Sequence, residues 1–223
     1  MKISVAIDGP SGAGKSTLAK RLAAHYGFLY VDTGAMYRAI GLYARRSGKD
    51  TKDRAAVAGL LPEIALSLRY EDGAQHIYLN GEDVSQAIRQ EEVGMAASDV
   101  SAHPEVRAFL LETQRGFARE SSVLMDGRDI GTVVLPDAEV KIFLTATPEE
   151  RARRRHRELL EKGQAADYDT VLRDVRQRDY NDSHRAAAPL RQAEDAVLVD
   201  TTHDDFEQAF RRLCAIIDAK REG

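Results

Sequence analysis

Eight residues near the N-terminus constrain the fold of this chain more than any others. The segment from Gly9 to Ser16, GPSGAGKS, fits the pattern GxxxxGK[ST]. A β-branched stretch, Met1 to Asp8, precedes it, and a helical pattern follows from Lys15 to Tyr26. Such a turn presents backbone N–H groups to a polyphosphate, and the helix N-terminus adds partial positive charge. The sequence therefore predicts a phosphate-binding loop in an α/β fold, with a plain helix-capping glycine turn as the alternative.

Two side chains at the end of this segment have expected chemical roles. Lys15 should reach the β- and γ-phosphates of a nucleotide, and the Ser16 hydroxyl can supply one oxygen to Mg²⁺. The pattern does not separate a kinase from a GTPase or an ATP-driven machine. A guanine-selecting [NT]KxD segment is missing, because Thr51-Lys52-Asp53-Arg54 has its acid one position too early. A GTPase is therefore disfavoured, and a mechanical ATPase stays open.

Strand and helix patterns alternate along most of the chain. After the first helix, strands are expected at Phe28 to Val31, Ser122 to Met125, Val140 to Leu144 and Ala196 to Val199, and helices at Pro104 to Arg119 and Pro148 to Lys162. This alternation predicts a parallel sheet with helices on both faces. We expect one domain over residues 1–223.

The segment at about residues 60–98 has a different pattern of predicted strands and turns. Short strand patterns at Ser67 to Tyr70 and Gln75 to Leu79 are joined to hairpin turns at Asp72-Gly73 and Asn80-Gly81. Parallel sheets do not normally contain such turns. We expect a small antiparallel sheet in an inserted lobe that covers a substrate.

A second segment outside the alternating pattern joins two charged helical stretches. It lies at about residues 155–170 and centres on the loop from Lys162 to Tyr168. Loops of this kind often close over a substrate and exclude water. The sequence predicts a short mobile lid here.

The composition narrows the choice of partner and compartment. The 32 basic and 36 acidic residues give a formal charge of −4, which offers no bulk attraction for nucleic acid or an anionic membrane. The single cysteine, Cys214, cannot form an internal disulfide and fits a reducing compartment. We find no secretory signal and no apolar run long enough to span a membrane. A cytoplasmic protein is expected.

Two segments near predicted strand ends carry candidate ligand-binding groups. Asp32 to Arg38, DTGAMYR, follows the second strand and opens a helix, where ligands bind in open α/β sheets. Tyr37 and Arg38 could equally be an ordinary pair on an amphipathic helix. In the segment DGRD, Asp126 could hold magnesium-bound water and Arg128 could neutralise a phosphate, although Asp-Gly is also common in turns.

Two arginine clusters lie on the charged helices around the lid. Within the run from Arg151 to Arg157, Arg151 and Arg155 are one turn apart and could reach one ligand, although such runs are usually solvated. On the next helix, Arg178, Asp182 and Arg185 form one stripe. Simple intrahelical ion pairs would explain that stripe as well.

Five segments in this order give a resemblance to a known family. GPSGAGKST, DTGAMYR, DGRDIGTVV, KIFLTA and RDYNDSHRAAAPL resemble the bacterial cytidylate kinases of the nucleoside monophosphate kinase superfamily, nearly end to end. The resemblance implies a parallel phosphate-loop core, a lid, and an enlarged monophosphate-binding lobe at about residues 33–107. It also implies transfer of a phosphoryl group from ATP to CMP or dCMP, with Mg²⁺.

The resemblance implies roles for individual positions. Residues expected to hold ATP are Gly9, Pro10, Ser11, Gly12, Ala13, Gly14, Lys15, Ser16 and Thr17, with Arg151 facing the base and Arg155 the phosphates. Residues expected to line the acceptor pocket are Thr33, Tyr37, Arg38, Ser98, Arg107, Arg128, Asp129, Arg178, Asp182 and Arg185. Lys15, Arg128, Arg155 and Arg178 would act on the transferred group, and Ser16 and Asp126 on the metal. Two positions depart from the pattern, because Thr33 stands where many members have serine and Ser16 where some have glycine.

Other functions remain open on these residues. The acceptor could be UMP, AMP or a non-nucleotide alcohol, as in other small-molecule kinases. A nucleotide-gated binding protein would leave the second anion site without a purpose. Partners other than nucleotides are not expected, and we expect a monomer.

Overall fold

The computed structural model describes residues 2–71 and 74–221. In chain order the elements are β1 (Ser4–Asp8), α1 (Lys15–Tyr26), β2 (Leu29–Asp32), α2 (Thr33–Arg46), α3 (Arg54–Leu60), β3 (Leu66–Glu71), β4 (Ala74–Leu79), β5 (Glu82–Asp83), α4 (Glu91–Val100), α5 (Pro104–Glu120), β6 (Val123–Gly127), β7 (Val140–Thr145), α6 (Pro148–Glu161), α7 (Tyr168–His184), β8 (Val197–Asp200) and α8 (Phe206–Arg221). The backbone forms two compact units. The first comprises the chain up to Tyr30 and from Ser121 onward, and the second is Val31–Glu120.

The first unit is built on a five-stranded sheet in the order β2-β6-β1-β7-β8. The central strand β1 pairs in parallel with β6 and β7, and β7 pairs in parallel with β8. Val5 and Ile7 of β1 are fully buried in a cluster with Leu22 of α1 and Leu213 of α8. The predicted α/β class with a parallel sheet is confirmed.

Two further helices of the first unit carry the arginine clusters. α6 begins at Pro148 after the cap Thr147, whose side chain accepts a hydrogen bond from the Glu150 N–H. Residues 162–167 join it to α7, so the loop expected there is present. The flanks of the expected lid, at residues 155–161 and 168–170, are helical. Closure of this segment over a substrate stays a prediction.

The second unit contains the antiparallel sheet that the hairpin pattern predicts, in the order β3-β4-β5. Asn80 and Gly81 form the turn between β4 and β5, with φ of 50° and 85°, a region that suits these two residue types. The Asp72-Gly73 turn lies outside the described residues. The structure adds α4, which the pattern at residues 60–98 does not predict.

Close helix packing forms the core of the second unit. A Cβ at Gly41 of α2 would lie 3.0 Å from backbone and side-chain atoms of Ala96 in α4, so glycine allows this approach. Met36 and Ile40 of α2 are buried with Leu110 of α5. Among the residues that the structure describes, no helix has the length and apolar character to cross a membrane.

Candidate active site

The phosphate loop follows the central strand β1 of the first unit. Its glycines Gly9, Gly12 and Gly14 have φ of 149°, 78° and 89°, values that residues with a Cβ atom rarely adopt. A Cβ at Gly9 would lie 1.9 Å from the Leu144 carbonyl oxygen of β7. The backbone here therefore requires glycine, and the loop is shaped as the sequence pattern predicts.

Lys15 begins helix α1 and is buried at 5% exposure. Its Nζ donates a hydrogen bond to the Pro10 carbonyl oxygen at 2.7 Å, across the loop. Burial, followed by the charge of Arg128, lowers the pKa of Lys15 well below its ordinary value, whereas Asp126, Asp182 and Asp8 oppose the shift. A buried ammonium of this kind would be stabilised by an incoming polyanion.

Asp126 is the next-to-last residue of the buried strand β6 and lies beside the phosphate loop. Its Oδ2 accepts a hydrogen bond from the Ser16 hydroxyl at 2.7 Å, and its Oδ1 accepts one from the Tyr30 hydroxyl at 2.8 Å. The strand continues through Gly127, so Asp126 and Gly127 are not a turn. Ser16 and Asp126 are thus adjacent oxygen donors, which suits Mg²⁺.

The segment after β6 forms a buried charged cluster with the end of α7. Arg128 Nε donates to Asp182 Oδ2 at 2.8 Å, and Arg185 Nη2 lies 3.5 Å from Asp129 Oδ1. Arg178 acts electrostatically on Asp182. Arg178 and Asp182 share α7, but Arg128 and Asp129 come from the segment after β6, so the stripe on α7 is more than a set of intrahelical pairs. Arg185 lies one residue beyond the helix rather than on it.

Mutual attraction keeps this cluster charged despite its burial. Burial alone would lower the pKa of Arg128, but Asp182 and then Asp126 and Asp8 hold it above the ordinary value. Burial would raise the pKa of Asp182, but Arg128, Arg178 and Arg185 hold it below the ordinary value. The Arg128 guanidinium and the Asp182 carboxylate therefore both stay charged although they are buried.

The Arg151 guanidinium donates its hydrogen bonds to oxygen atoms of the protein in this structure. It donates to the Ser11 carbonyl oxygen at 3.0 Å and to both oxygens of Asp179, at 2.9 and 2.5 Å. The side chain is only 3% exposed. Arg151 therefore joins the phosphate loop to α7, and contact with the ATP base stays a prediction.

The other arginines of α6 have separate partners. Arg155 pairs with Glu158 on its own helix at 3.0 Å. Arg154 donates to the Thr201 carbonyl oxygen at 2.6 Å, and its guanidinium is the nearest group to a Cβ built at Gly14. Arg151 and Arg155 hence do not share a partner, although they lie one turn apart. The role of Arg155 toward the phosphates stays a prediction.

The remaining candidate residues lie in the second unit. Asp32 caps α2 by accepting a hydrogen bond from the Ala35 N–H at 3.0 Å, and Thr33 at the helix start is buried. The Arg107 guanidinium of α5 lies 5.6 Å from the centre of the Tyr37 ring. The remaining two candidates are Arg38 on α2 and Ser98 on α4, both partly buried. Within this unit the structure thus joins Tyr37 to Arg107.

Two residues of the site were missed by the sequence reasoning. Tyr30 holds Asp126, and Asp8 accepts hydrogen bonds from the Ile130 and Gly131 N–H groups at 2.8 and 2.7 Å. Asp8 could have been found, because it is a carboxylate at the end of a buried strand directly before the phosphate loop. Tyr30 has no comparable signal, since aromatic residues are common in strands.

The fold and the phosphate loop together define a nucleotide-binding protein of the phosphate-loop class. The family described as cytidylate kinase matches residues 5–219. The chain belongs to the cytidylate kinase family and is a nucleoside monophosphate kinase.

Individual relatives agree with this assignment over nearly their full length. The chain is 50% identical to a cytidylate kinase of Caldicellulosiruptor bescii over 95% of this chain and 94% of the relative. It is 49% identical to a cytidylate kinase of Carboxydothermus hydrogenoformans, covering 98% of each. A crystal structure of a gluconokinase from Sinorhizobium meliloti matches 99% of this chain and 94% of its own at 13% identity, with a TM-score of 0.50, which supports the fold alone.

Proposed function

We propose that this protein transfers the γ-phosphoryl group of ATP to CMP and dCMP, giving CDP or dCDP and ADP. A phosphate oxygen of the acceptor attacks the γ-phosphorus, and the bond from that phosphorus to the β–γ bridging oxygen breaks. The acceptor phosphate is already ionised near neutral pH, so no strong general base is needed. The difficulty is repulsion between two polyanions, which positive groups in a dry site must offset.

The observation that carries this proposal is the buried charged cluster of the first unit. The chain has a formal charge of −4, yet Asp182 is acted on by both Arg128 and Arg178, and Arg128 and Asp182 in turn act on Lys15 of the phosphate loop. Lys15 would bind the β- and γ-phosphates, and the two arginines would balance charge on the transferred group. Arg155 is proposed as a further cation for the phosphates of ATP.

Ser16 and Asp126 would hold Mg²⁺. Their oxygens are 2.7 Å apart, and the carboxylate is oriented by Tyr30. The ion would neutralise phosphate charge as ATP binds. Tyr30 and Ser16 would keep the Asp126 oxygens in place for it.

Base selection is proposed for the pair Arg185 and Asp129. A guanidinium and a carboxylate can pair with the acceptor and donor groups on the edge of cytosine. In the second unit, Thr33, Tyr37, Arg38, Ser98 and Arg107 would bind the acceptor nucleotide. We propose that the protein acts as a cytoplasmic monomer, which its free Cys214 fits.

A panel of acceptors tests the proposed function. ADP release from ATP is measured by a coupled assay with CMP, dCMP, UMP, AMP and shikimate, each over a range of concentrations. We expect the highest kcat/KM for CMP and dCMP. A preference for UMP, AMP or shikimate would refute the proposed acceptor while leaving the kinase class intact.

A further inference from the structure

Asp8 makes a contact between two functional segments of the first unit. It is the last residue of β1, directly before the phosphate loop, and is buried at 4% exposure. Its Oδ1 accepts a hydrogen bond from the Ile130 N–H at 2.8 Å, and its Oδ2 accepts one from the Gly131 N–H at 2.7 Å. One carboxylate therefore satisfies two successive backbone donors, 122 and 123 residues further along the chain.

These two donors begin a short π-helix, Ile130–Val134. Its wide turns are closed by hydrogen bonds from the Leu135 N–H to the Ile130 carbonyl at 2.7 Å and from the Val134 N–H to the Asp129 carbonyl at 3.2 Å. The first N–H groups of any helix lack partners within the helix. Asp8 provides those partners, and its negative charge suits the positive end of the turn.

The π-helix directly follows two residues of the proposed acceptor site. Arg128 reaches Asp182 at 2.8 Å, and Asp129 lies 3.5 Å from Arg185. The backbone position of Ile130 fixes where Asp129 and Arg128 leave β6. A shift of the π-helix would therefore move both side chains.

The contact leaves no spare space. A Cβ at Gly131 would lie 3.2 Å from Lys141 Cδ and 3.4 Å from Asp8 Oδ2. The first distance is shorter than ordinary van der Waals contact, so a side chain at this position would press on Lys141. The second is an ordinary contact with Asp8.

We infer that Asp8 is a positioning residue, which holds the segment carrying Arg128 and Asp129 in register with the phosphate-loop strand. Each Asp8 oxygen accepts a backbone hydrogen bond from this segment, and we assign the carboxylate an action through the segment. This inference rests on the proposed function. Burial, which raises the pKa of Asp8 to about 6, indicates that folding retains this carboxyl group at a cost.

The test replaces Asp8 by asparagine. The Asp8→Asn side chain keeps the shape and one acceptor but turns an NH₂ group toward a backbone donor. Loss of a buried hydrogen bond to a charged group corresponds to a weakening of roughly 10- to 100-fold. We expect that weakening in the Kd for CMP by calorimetry, with less than about threefold change in the Kd for a nonhydrolysable ATP analogue.

A matched control uses a carboxylate that accepts a backbone hydrogen bond elsewhere. Asp53 caps α3 by accepting from the Ala56 N–H at 3.0 Å and lies outside the proposed site. Asp53→Asn should leave both Kd values unchanged. Equal weakening of CMP and ATP-analogue binding in Asp8→Asn, or of neither, would overturn the inference.

A second pair of measurements separates this inference from the proposed function. Hydrogen exchange on the protein without ligands should show the Ile130 and Gly131 amides protected in the wild type and exchanging at least about tenfold faster in Asp8→Asn. Unchanged exchange would overturn the inference whatever the acceptor is. If Asp8→Asn fails to fold, Asp8→Glu serves instead: it keeps the charge, but its longer side chain cannot hold both amides in the same positions, and the same selective loss of CMP affinity is expected. Failure of wild-type protein to bind CMP would refute the proposed function alone.

Discussion

At the scale of single residues, the site depends on charges that the protein buries and must compensate. Lys15, Arg128 and Asp182 are largely removed from water, and neighbouring charges shift the pKa of each. Such arrangements store unfavourable desolvation that a ligand of the right charge relieves. Substitution of Lys15 should therefore affect activity more than folding, whereas removal of Arg128 or Asp182 would also destabilise the fold, because the partner charge would stay buried without compensation.

Lys15 gives the clearest case. Lys15→Ala removes the ammonium proposed to bind the β- and γ-phosphates, and we expect kcat to fall by roughly 10²- to 10³-fold. The free energy of unfolding should change by less than about 1 kcal/mol, because desolvation already opposes the charge of Lys15 in the folded state. Turnover and urea denaturation are measured on the same preparation.

The exposed Lys220 of α8 provides the control for this substitution. Lys220→Ala removes an equal charge from a helix outside the proposed site and should leave kcat within about twofold of wild type. Near-normal turnover in Lys15→Ala would remove this residue from the mechanism.

Asp8 predicts a pH dependence of stability. Burial, followed by the charge of Asp129, raises its pKa from 3.8 to about 6, while the Gly131 and Ile130 amides and Lys15 act in the opposite direction. The folded protein therefore keeps the proton more tightly than the unfolded chain, so the Asp8 contribution to stability is full below pH 3.8 and is lost as the pH rises through about 6.

This contribution is measurable as a difference between two proteins. At about 1.4 kcal/mol for each pKa unit, the free energy of unfolding of wild type relative to Asp8→Asn should fall by roughly 3 kcal/mol between pH 4 and 7. Urea denaturation at intervals across this range measures it. A difference that stays constant or rises with pH would show that the pKa of Asp8 is not raised.

At the scale of elements, the helix pair α6 and α7 carries the proposed moving part. Residues 162–167 between the two helices lack regular structure, and most of them are exposed. If this loop closes over bound nucleotides, its amides should exchange with solvent at least about tenfold more slowly when CMP and an ATP analogue are both present than when neither is.

The antiparallel sheet supplies an internal reference for this measurement. Amides of β4 paired with β3 are already hydrogen-bonded without ligand, so their exchange should change little. Equal protection of residues 162–167 with and without ligands would exclude a lid at this loop.

Most elements could be predicted from the sequence because their signals are local. Helix α1 has the expected bounds, Lys15–Tyr26, and the hairpin turn at Asn80-Gly81 forms where its residues favour positive φ. Helix α4 was not expected, because the hairpin signals beside it dominate the pattern of that region. The π-helix Ile130–Val134 has no local signal either, since its first N–H groups are satisfied by the distant Asp8.

The site was predictable in part for the same reason. The shape of the phosphate loop follows from its glycines and their neighbours in sequence. The Arg128 to Asp182 and Arg151 to Asp179 contacts join distant segments, and the spacing of charges along α6 and α7 did not reveal them. Sequence spacing identifies which residues share a helix face but not which partner occupies each of them.

At the scale of the whole molecule, an acidic chain concentrates positive charge where two nucleotides would bind. The formal charge of −4 provides no general attraction for polyanions, so recognition must come from local groups. The cytidylate kinase family match covers residues 5–219, which is nearly the entire chain, and a kinase of this family binds two nucleotides. The central claim is therefore that the protein has a specific site for CMP in addition to its phosphate loop.

Isothermal titration calorimetry of CMP into protein saturated with a nonhydrolysable ATP analogue tests this claim most directly. We predict binding of about one CMP per chain, with UMP and AMP binding at least about tenfold more weakly. Absence of CMP binding heat at several temperatures, with the ATP analogue still bound, would contradict the claim.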